Sequence, residues 1–188
     1  MQLLEDHIRR EGKVAPGNVL RVDGFLNHQI DVVLLTKLAE EFHTRFSGEK
    51  VDKILTIEAS GIAIGCLVAQ QFGVPLVFAK KSRSSNLPAD VYATAVHSYT
   101  HGNVNQVVVS REYLHSGERV LLIDDFLAHG EALAGLGSLV QQGGGAGCSG
   151  RPALSSVPAS SSKRPSRMAA TVSVVRASGW KAWPVSLR

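Results

Sequence analysis

The chain has 188 residues, of which 44% are hydrophobic and 19% charged, and its formal net charge is +4. These values are typical of one globular domain, or of one domain with an appendage. No apolar run approaches the ~20 residues of a membrane-spanning helix, and the polar start of the chain does not resemble a signal peptide. The two cysteines, Cys66 and Cys148, favour a reduced, cytoplasmic setting over a disulfide framework.

The excess of basic over acidic residues lies in the C-terminal part of the chain. All 16 acidic residues lie in residues 1–142 with 13 of the 20 Lys and Arg, which gives this part a net charge of −3. Residues 143–188 hold the other basic residues and no acid. The basic character therefore belongs to a tail, and we expect neither a nucleic-acid nor a membrane partner.

The first half of the chain shows alternating helix and strand patterns. In chain order they predict a helix over residues 2–11, a short mixed segment over Val19–Phe25, a helix from the capping Asp31 to about Phe46, a strand over Lys53–Ile57, and a helix over Ile62–Phe72 with Gly73 as its C-cap. Within the last helix, Cys66 is predicted to lie on an apolar face and to belong to the core.

The second half continues this alternation. Strands are predicted over Pro75–Ala79, over the hairpin-like pair Tyr92–His97 and Gln106–Ser110, and over Arg119–Ile123, followed by a helix over Glu131–Gln142. Strand, turn, helix and strand in this rhythm indicate an α/β fold with a mostly parallel sheet. Ligands of such sheets bind at the carboxyl ends of the strands.

Two predicted strands end in unusual turns. Glu58–Gly61 ("EASG") follows one strand and Asp124–Gly130 another, each with a helix after it. A glycine-containing turn before a helix presents N–H groups and a positive dipole end, which suit phosphate. Because phosphate repels carboxylates, Asp124 and Asp125 are expected to serve hydroxyl groups, as on a ribose, or a metal. An ordinary turn and a solvated acidic strand end are the alternatives.

The stretch "VLLIDDFLAHGEA", Val120–Ala132, resembles the phosphoribosyl diphosphate (PRPP) motif of type I phosphoribosyltransferases. "EASG" lies where this family has its pyrophosphate loop. Together with "LRVDGFLNHQID" (Leu20–Asp31), these motifs are similar to those of the xanthine phosphoribosyltransferases. The resemblance runs through residues 1–142. It implies the type I fold, with a mostly parallel core sheet flanked by helices and a small hood formed by about residues 1–30.

The resemblance also implies roles for the matching positions that bind PRPP. The catalytic pair Asp124 and Asp125 binds the ribose hydroxyls. The 5′-phosphate lies in a cradle formed by Ala128, His129, Gly130, Glu131 and Ala132. The pyrophosphate lies on Glu58, Ala59, Ser60 and Gly61. His129 stands where the family pattern has asparagine, which changes little if backbone N–H groups bind the phosphate.

Two further groups of residues follow from the same resemblance. Lys80 and Lys81, followed by Arg83, belong to a mobile lid over PRPP, with a solvated basic loop as the alternative. Leu20 and Asn27 contact the purine.

The implied reaction joins PRPP to xanthine and gives xanthosine monophosphate (XMP) and pyrophosphate, a step of purine salvage. Its transition state develops oxocarbenium character at C1′, so catalysis rests on positioning, on stabilising the leaving group and on excluding water. Mg²⁺ is implied as a cofactor carried by PRPP and pyrophosphate, held by pyrophosphate and ribose oxygens with few direct protein ligands, and no residue is assigned as a metal ligand. The family further implies a homodimer.

Other functions stay open at this point. A purine-responsive regulator on the same fold would bind PRPP without turnover, but such regulators add a DNA-binding domain, whereas residues 1–52 match the purine-binding segment of the enzymes. Guanine or hypoxanthine could replace xanthine as the base. The chain could also be an inactive product of a disrupted gene.

Residues 143–188 form an atypical tail rich in Gly, Ser, Pro and Arg. It could be a disordered basic tail, a diverged C-terminal region, or a segment translated in the wrong frame. We favour the last reading. Suitable codons can be chosen for residues 162–171. When a G precedes them and the frame is shifted to start at that G, they encode Val-Glu-Lys-Ala-Phe-Gln-Asp-Gly-Arg-Asp. This sequence restores the Glu-Lys and Phe-Gln of the family. The tail then lacks the family's purine-contacting lysine, and we predict no core strand in it.

Overall fold

The structure is a computed structural model that describes residues 1–16, 19–81, 90–98, 103–126 and 130–144, and the backbone of residues 173–176. Its helices are α1 (Gln2–Glu11), α2 (Val32–Arg45), α3 (Gly61–Phe72) and α4 (Glu131–Gln142), with a π-helix over Asp23–Asn27 and a 3-10 helix over Arg111–Tyr113. Its strands are β1 (Lys13–Ala15), β2 (Val19–Arg21), β3 (Lys53–Ile57), β4 (Leu76–Lys81), β5 (Val91–Ser98), β6 (Asn103–Ser110), β7 (Val120–Asp124) and β8 (Ser173–Arg176).

Six strands form one sheet in the order β5–β6–β4–β3–β7–β8. The central strand β3 is parallel to both of its neighbours, β4 and β7, so the predicted parallel core is confirmed. The hairpin β5–β6 joins β4 in antiparallel orientation, and β8 is antiparallel to β7. The sheet as a whole is therefore mixed, with a parallel centre and antiparallel edges.

The strand β8 corrects the prediction that the tail contributes no core strand. Its backbone pairs with β7 in a register that joins Leu121 to Arg176 and Asp124 to Ser173. Without a neighbour on this side, β7 would leave a row of N–H and C=O groups unpaired. A segment that contains two consecutive valines suits an extended backbone, so four tail residues complete the edge.

The helix ends follow the predicted capping residues. Asp31 caps α2, because its carboxylate accepts a hydrogen bond from the N–H of Leu34 at 2.9 Å. Gly73 ends α3 in the left-handed region with φ of 65°, a conformation that glycine adopts without steric cost.

Two hydrophobic clusters cover the two faces of the sheet. The first packs α1, α2, α3 and the π-helix on β3 and β7, and the second packs α4 on the opposite face, against β3, β5, β6 and β7. All five residues of β3 and all five of β7 are buried. Burial on both faces explains why these strands read as continuous apolar runs. The carboxyl ends of β3 and β7 are thus held side by side at the edge of a rigid core.

One core prediction is wrong. Cys66 is exposed, although α3 is apolar around most of its circumference. The buried face of the helix carries Ile64 and Val68. Cys66 is two positions from each, which is about half a helical turn, so its side chain points away from the core.

The N-terminal part contains its own small sheet. Strands β1 and β2 pair in antiparallel register near α1 and the π-helix. Within the π-helix, Phe25 and Leu26 are each 1% exposed, and the ring of His7 packs edge-on against Phe25 with centroids 4.7 Å apart. No helix in the described ranges is long and apolar enough to cross a membrane.

Candidate active site

The two turns singled out in the sequence lie next to each other in the structure. Strand β3 ends before Glu58 and β7 ends at Asp124, and the two strands are parallel neighbours. Their carboxyl ends therefore point to the same edge of the sheet, where ligands of α/β proteins bind. Helix α3 begins at Gly61 and α4 at Glu131, so two helix N-termini follow these turns.

The two carboxylates at the end of β7 are almost completely buried. Asp124 is 4% and Asp125 5% exposed, and the N–H of Asp125 donates to Oδ1 of Asp124 at 3.1 Å. Burial and then the neighbouring charge of Asp125 raise the pKa of Asp124 well above its usual value. Such a pair is stabilised by hydrogen-bond donors from a ligand.

Two side chains of the "EASG" turn make contacts across the sheet edge. The hydroxyl of Ser60 donates to Oδ1 of Asp125 at 2.8 Å. The carboxylate of Glu58 accepts a hydrogen bond from the backbone N–H of Lys81 at 2.6 Å, and the Glu58–Ala59 peptide bond is cis. The turn after β3 is therefore linked to the end of β7 on one side and to the end of β4 on the other.

A site residue that the sequence analysis does not name is Thr56, in β3. Its side chain is 0% exposed, and its hydroxyl has no hydrogen-bond partner in the described part of the chain. The hydroxyl occupies the space that a Cβ at Gly61 would need, and Oδ1 of Asp124 lies 3.8 Å from the same point. A threonine inside the otherwise aliphatic end of β3 is the sequence signal that could have identified it.

The predicted phosphate cradle is described in part. Gly130 has φ of 80° and precedes α4, so this position favours glycine. Glu131 and Ala132 form the first turn of α4, whose N–H groups have no partners within the helix. The predicted cradle residues Ala128 and His129 lie outside the described residues.

The two predicted lid lysines differ in their surroundings. The charge of Lys81 acts on Asp124 and favours its ionised form. Lys80 instead lines a cavity of about 580 Å³ between β4 and β6, together with Phe78 and Tyr113. Successive side chains of a strand point to opposite faces, which explains the difference. Arg83 lies outside the described residues.

The predicted purine-binding residues lie in the N-terminal part. Leu20 is half-buried in β2, and Asn27 is exposed at the last position of the π-helix. Leu20 and Phe126 both pack against the first core cluster, which contains Ile123 of β7. The hydrophobic core thus connects the predicted purine segment with the strand that carries the acid pair.

The oxygen donors of the site are suited to Mg²⁺ that arrives with a phosphorylated substrate. Among the described residues, no group of three or more His, Cys, Asp or Glu could hold a metal by itself. Mg²⁺ commonly keeps several waters and binds one or two carboxylates together with substrate phosphates. Asp124 and Asp125 are suited to supply these one or two carboxylate ligands.

Comparisons with known proteins agree with this arrangement. The family model of the phosphoribosyl transferase domain matches residues 22–185. A xanthine phosphoribosyltransferase of Alkaliphilus metalliredigens (strain QYMF) is 56% identical over 142 residues, which are 76% of this chain and 70% of that protein. One of Lachnoclostridium phytofermentans is 55% identical over 144 residues, which are 77% of this chain and 74% of that protein.

Solved structures of adenine phosphoribosyltransferases share the fold. The enzyme of Giardia lamblia, complexed with 9-deazaadenine, gives a TM-score of 0.63 at 22% identity, over 75% of this chain and 78% of that chain. The enzyme of Thermoanaerobacter pseudethanolicus gives 0.61 at 21% identity, over 75% and 81%. With the family match over most of its length and relatives above 50% identity, the chain belongs to the type I phosphoribosyltransferase family.

Proposed function

We propose that the chain is an enzyme of purine salvage that transfers the 5-phosphoribosyl group from PRPP to xanthine and forms XMP and pyrophosphate. The observation that carries the proposal is the buried pair Asp124 and Asp125 beside the "EASG" turn, in a chain 56% identical to a curated xanthine phosphoribosyltransferase. The pair supplies acceptors for hydroxyl groups, and the turn leads into a helix N-terminus that favours an anion.

The acid pair is proposed to bind the ribose. The 2′- and 3′-hydroxyls donate to Asp124 and Asp125, and the negative charge of both carboxylates favours the positive charge that develops at C1′ in the transition state. Because both carboxylates are nearly inaccessible to solvent, their interaction with that charge is less screened than at an exposed surface. No protein nucleophile is needed, since the base itself attacks C1′.

The two helix N-termini are proposed to bind the two anionic ends of PRPP. The amides at the start of α3, over Ala59–Gly61, bind the pyrophosphate that leaves. The amides of Gly130–Ala132, together with Ala128 and His129, bind the 5′-phosphate. Holding both ends and the ribose at once fixes C1′ in front of the base, so that much of the catalysis is positioning.

Mg²⁺ is proposed to enter as part of the Mg–PRPP substrate. When bound, it would supply positive charge that stabilises the pyrophosphate as a leaving group. Asp124 and Asp125 are the carboxylates placed to share it, directly or through water. Lys80 and Lys81 are proposed to belong to the segment that covers PRPP, with Lys81 facing the acid pair.

Leu20 and Asn27 are proposed to contact the purine. Leu20 offers an apolar surface and Asn27 an amide that can both donate and accept hydrogen bonds, which suits the oxo and N–H edge of xanthine. We also propose, from the family, a cytoplasmic homodimer.

We further propose that residues 143–188 are read out of frame. Support comes from the loss of acidic residues beyond residue 142 and from relatives that align over 142 and 144 of the 188 residues. The family match extends further, to residue 185, and includes β8. A one-nucleotide insertion or deletion near codon 143 is the expected result of DNA sequencing. An uninterrupted reading frame, with the tail found by mass spectrometry, would contradict this proposal.

A steady-state assay with three bases tests the proposed function. The chain and its frame-restored counterpart are each incubated with Mg–PRPP and xanthine, guanine or hypoxanthine, and nucleotide and pyrophosphate are measured. We expect both chains to prefer xanthine, and the restored chain to have the lower KM for it, because it regains the family's purine-contacting lysine. Binding of PRPP with no turnover of any base would favour a regulator, and a higher kcat/KM for guanine or hypoxanthine would overturn the choice of base.

A further inference from the structure

The hydrogen bond from Ser60 to Asp125 joins two parts of the site that are far apart in sequence. Ser60 follows β3 and Asp125 follows β7, and the hydroxyl donates to Oδ1 of the carboxylate at 2.8 Å. Asp125 is 5% exposed, so water competes little for this bond. A hydrogen bond to a buried, charged acceptor is among the stronger ones in proteins.

The direction of the Ser60 hydroxyl is unusual for its position. Ser60 is the N-cap of α3, where a serine side chain ordinarily accepts a hydrogen bond from an N–H of the first turn. Here its backbone is helical and it makes no such capping bond, and its hydroxyl is turned to Asp125. The N–H of Ile62 donates to the carbonyl of Ala59 at 3.2 Å, and the Ser60 side chain takes none of the first-turn N–H groups of α3.

The same bond orients the carboxylate of Asp125. One oxygen, Oδ1, receives the Ser60 hydroxyl, while the backbone N–H of Asp125 is turned to Asp124. A carboxylate has two oxygens and roughly four acceptor directions, so Asp125 can accept a ribose hydroxyl in addition to the bond from Ser60. Fixing one oxygen therefore limits rotation of the group that is proposed to hold the ribose.

We infer that Ser60 is a positioning residue, whose hydroxyl orients Asp125 and ties the turn that binds pyrophosphate to the carboxylate that binds ribose. This inference rests on the proposed function. It differs from the family-based role of the turn, because the side chain of Ser60 acts on Asp125 and not on the pyrophosphate. The bond between C1′ and pyrophosphate breaks in the reaction. The turn that holds the pyrophosphate and the carboxylate that holds the ribose are then fixed to each other by the Ser60 hydrogen bond.

The experiment is a double-mutant cycle on Ser60 and Asp125 in the full chain. Ser60→Ala, Ser60→Thr, Asp125→Ala and the double variant Ser60→Ala/Asp125→Ala are assayed for kcat and for the KM of PRPP, and of pyrophosphate in the reverse direction. Ser47→Ala is the matched control, since it removes a hydroxyl that donates to the carbonyl of Thr44 at the end of α2. Circular dichroism and thermal unfolding verify that each variant is folded.

If Ser60 acts through Asp125, Ser60→Ala lowers kcat about tenfold, and Ser60→Thr, which keeps a hydroxyl, retains most of the activity. The double variant is then no slower than Asp125→Ala alone, because alanine at position 125 leaves no acceptor for the Ser60 hydroxyl to orient. The inference is overturned if the two single effects multiply, or if Ser60→Ala raises only the KM of pyrophosphate, as loss of a direct ligand would.

The equilibrium affinity for Mg–PRPP, measured by calorimetry on the same variants, separates this inference from the proposed function. A wild-type chain that binds PRPP without turning over any base would refute the enzyme proposal. The same double-mutant cycle, applied to the affinity for Mg–PRPP, would still decide the role of Ser60. Losses of binding free energy that are non-additive support the link to Asp125, and additive losses refute it.

Discussion

The backbone N–H of Lys81 donates to the carboxylate of Glu58 at 2.6 Å. This contact joins the turn after β3 to the last residue of β4. A carboxylate next to a pyrophosphate would repel it, whereas one that accepts a hydrogen bond from β4 can hold the strand end in place. The geometry therefore favours a structural use of the Glu58 side chain, with the backbone of the turn left to the anion.

Substitutions of Glu58 can distinguish a structural role of its side chain from a role of its negative charge in binding PRPP. Glu58→Gln keeps an acceptor for the Lys81 N–H but removes the charge, so we expect the KM for PRPP to stay equal or to decrease. Glu58→Ala removes the acceptor, and we expect an increase of roughly tenfold in the same KM. Steady-state kinetics at saturating xanthine measure both. Equal increases for the two variants would show that the negative charge itself is required.

The different surroundings of Lys80 and Lys81 give a matched pair of variants. Lys81 acts electrostatically on Asp124, whereas Lys80 lines the cavity between β4 and β6. We expect Lys81→Gln to raise the KM for PRPP about tenfold, and Lys80→Gln to change it by about twofold or less. A larger effect of Lys80→Gln would mean that the side chain of Lys80, and not that of Lys81, faces the bound substrate.

Gly61 is expected to tolerate no side chain, because the Thr56 hydroxyl occupies the position of its Cβ. Gly61→Ala should lower the free energy of unfolding by about 1–3 kcal/mol, although alanine is the better helix former. Urea unfolding measures this change.

Two variants serve as controls for this prediction. Gly48→Ala should change stability little, since a Cβ there meets no atom within 4 Å. Thr56→Ala/Gly61→Ala should recover part of the loss, because the hydroxyl that causes the clash is removed. A loss that is the same with and without Thr56 would refute this explanation.

Asp124 should make the chain less stable at neutral pH than at acidic pH. Its pKa in the folded chain is raised, by burial and then by the charge of Asp125. As pH rises above about 4, the unfolded chain releases this proton while the folded chain retains it. Stability is therefore lost until the pH passes the raised pKa. Asp124→Asn removes this titration.

Urea unfolding of Asp124→Asn and of the wild-type chain at pH 4 and pH 8 tests the direction of this pH dependence of stability. We expect a gain in stability at pH 8 and a smaller gain at pH 4, because the raised pKa of Asp124 lowers stability only where the unfolded chain has lost this proton. Asp6→Asn, on the exposed surface of α1, is measured as the matched control. A gain for Asp124→Asn that is larger at pH 4 than at pH 8 would contradict the assignment.

Much of the fold could be predicted because local signals and burial agree. Asp31 predicts the start of α2, and Gly73 predicts the end of α3, since each residue suits one backbone geometry. The buried strands β3 and β7 are continuous apolar runs, and this pattern, with the helices between them, indicates parallel neighbours.

Features that depend on tertiary packing could not be predicted in this way. The π-helix is accompanied by complete burial of Phe25 and Leu26, which no local pattern encodes. The pairing of β8 with β7 depends on the open edge of β7 as well as on the two valines of the tail segment. The exposure of Cys66 depends on which side of an apolar helix meets the sheet.

The same distinction between local sequence signals and tertiary packing applies to the residues of the site. The acid pair and the "EASG" turn are sequence motifs, so their residues could be named in advance. The contact between Ser60 and Asp125 could not, because the residues lie 65 positions apart and the hydroxyl could equally have capped α3. Thr56 was missed because its role comes from the space it fills next to Gly61.

The most direct test of the central claim is XMP formation from xanthine and Mg–PRPP by the wild-type chain and by Asp125→Asn, whose side chain keeps nearly the same shape without the charge. The expected result is XMP and pyrophosphate in equal amounts with the wild-type chain, and a rate at least about 100-fold lower with Asp125→Asn, because a charge aimed at the transition state is lost. Equal rates for the two chains would contradict the assignment of the acid pair. Xanthine left unchanged by a folded wild-type chain that binds PRPP would contradict the proposed reaction.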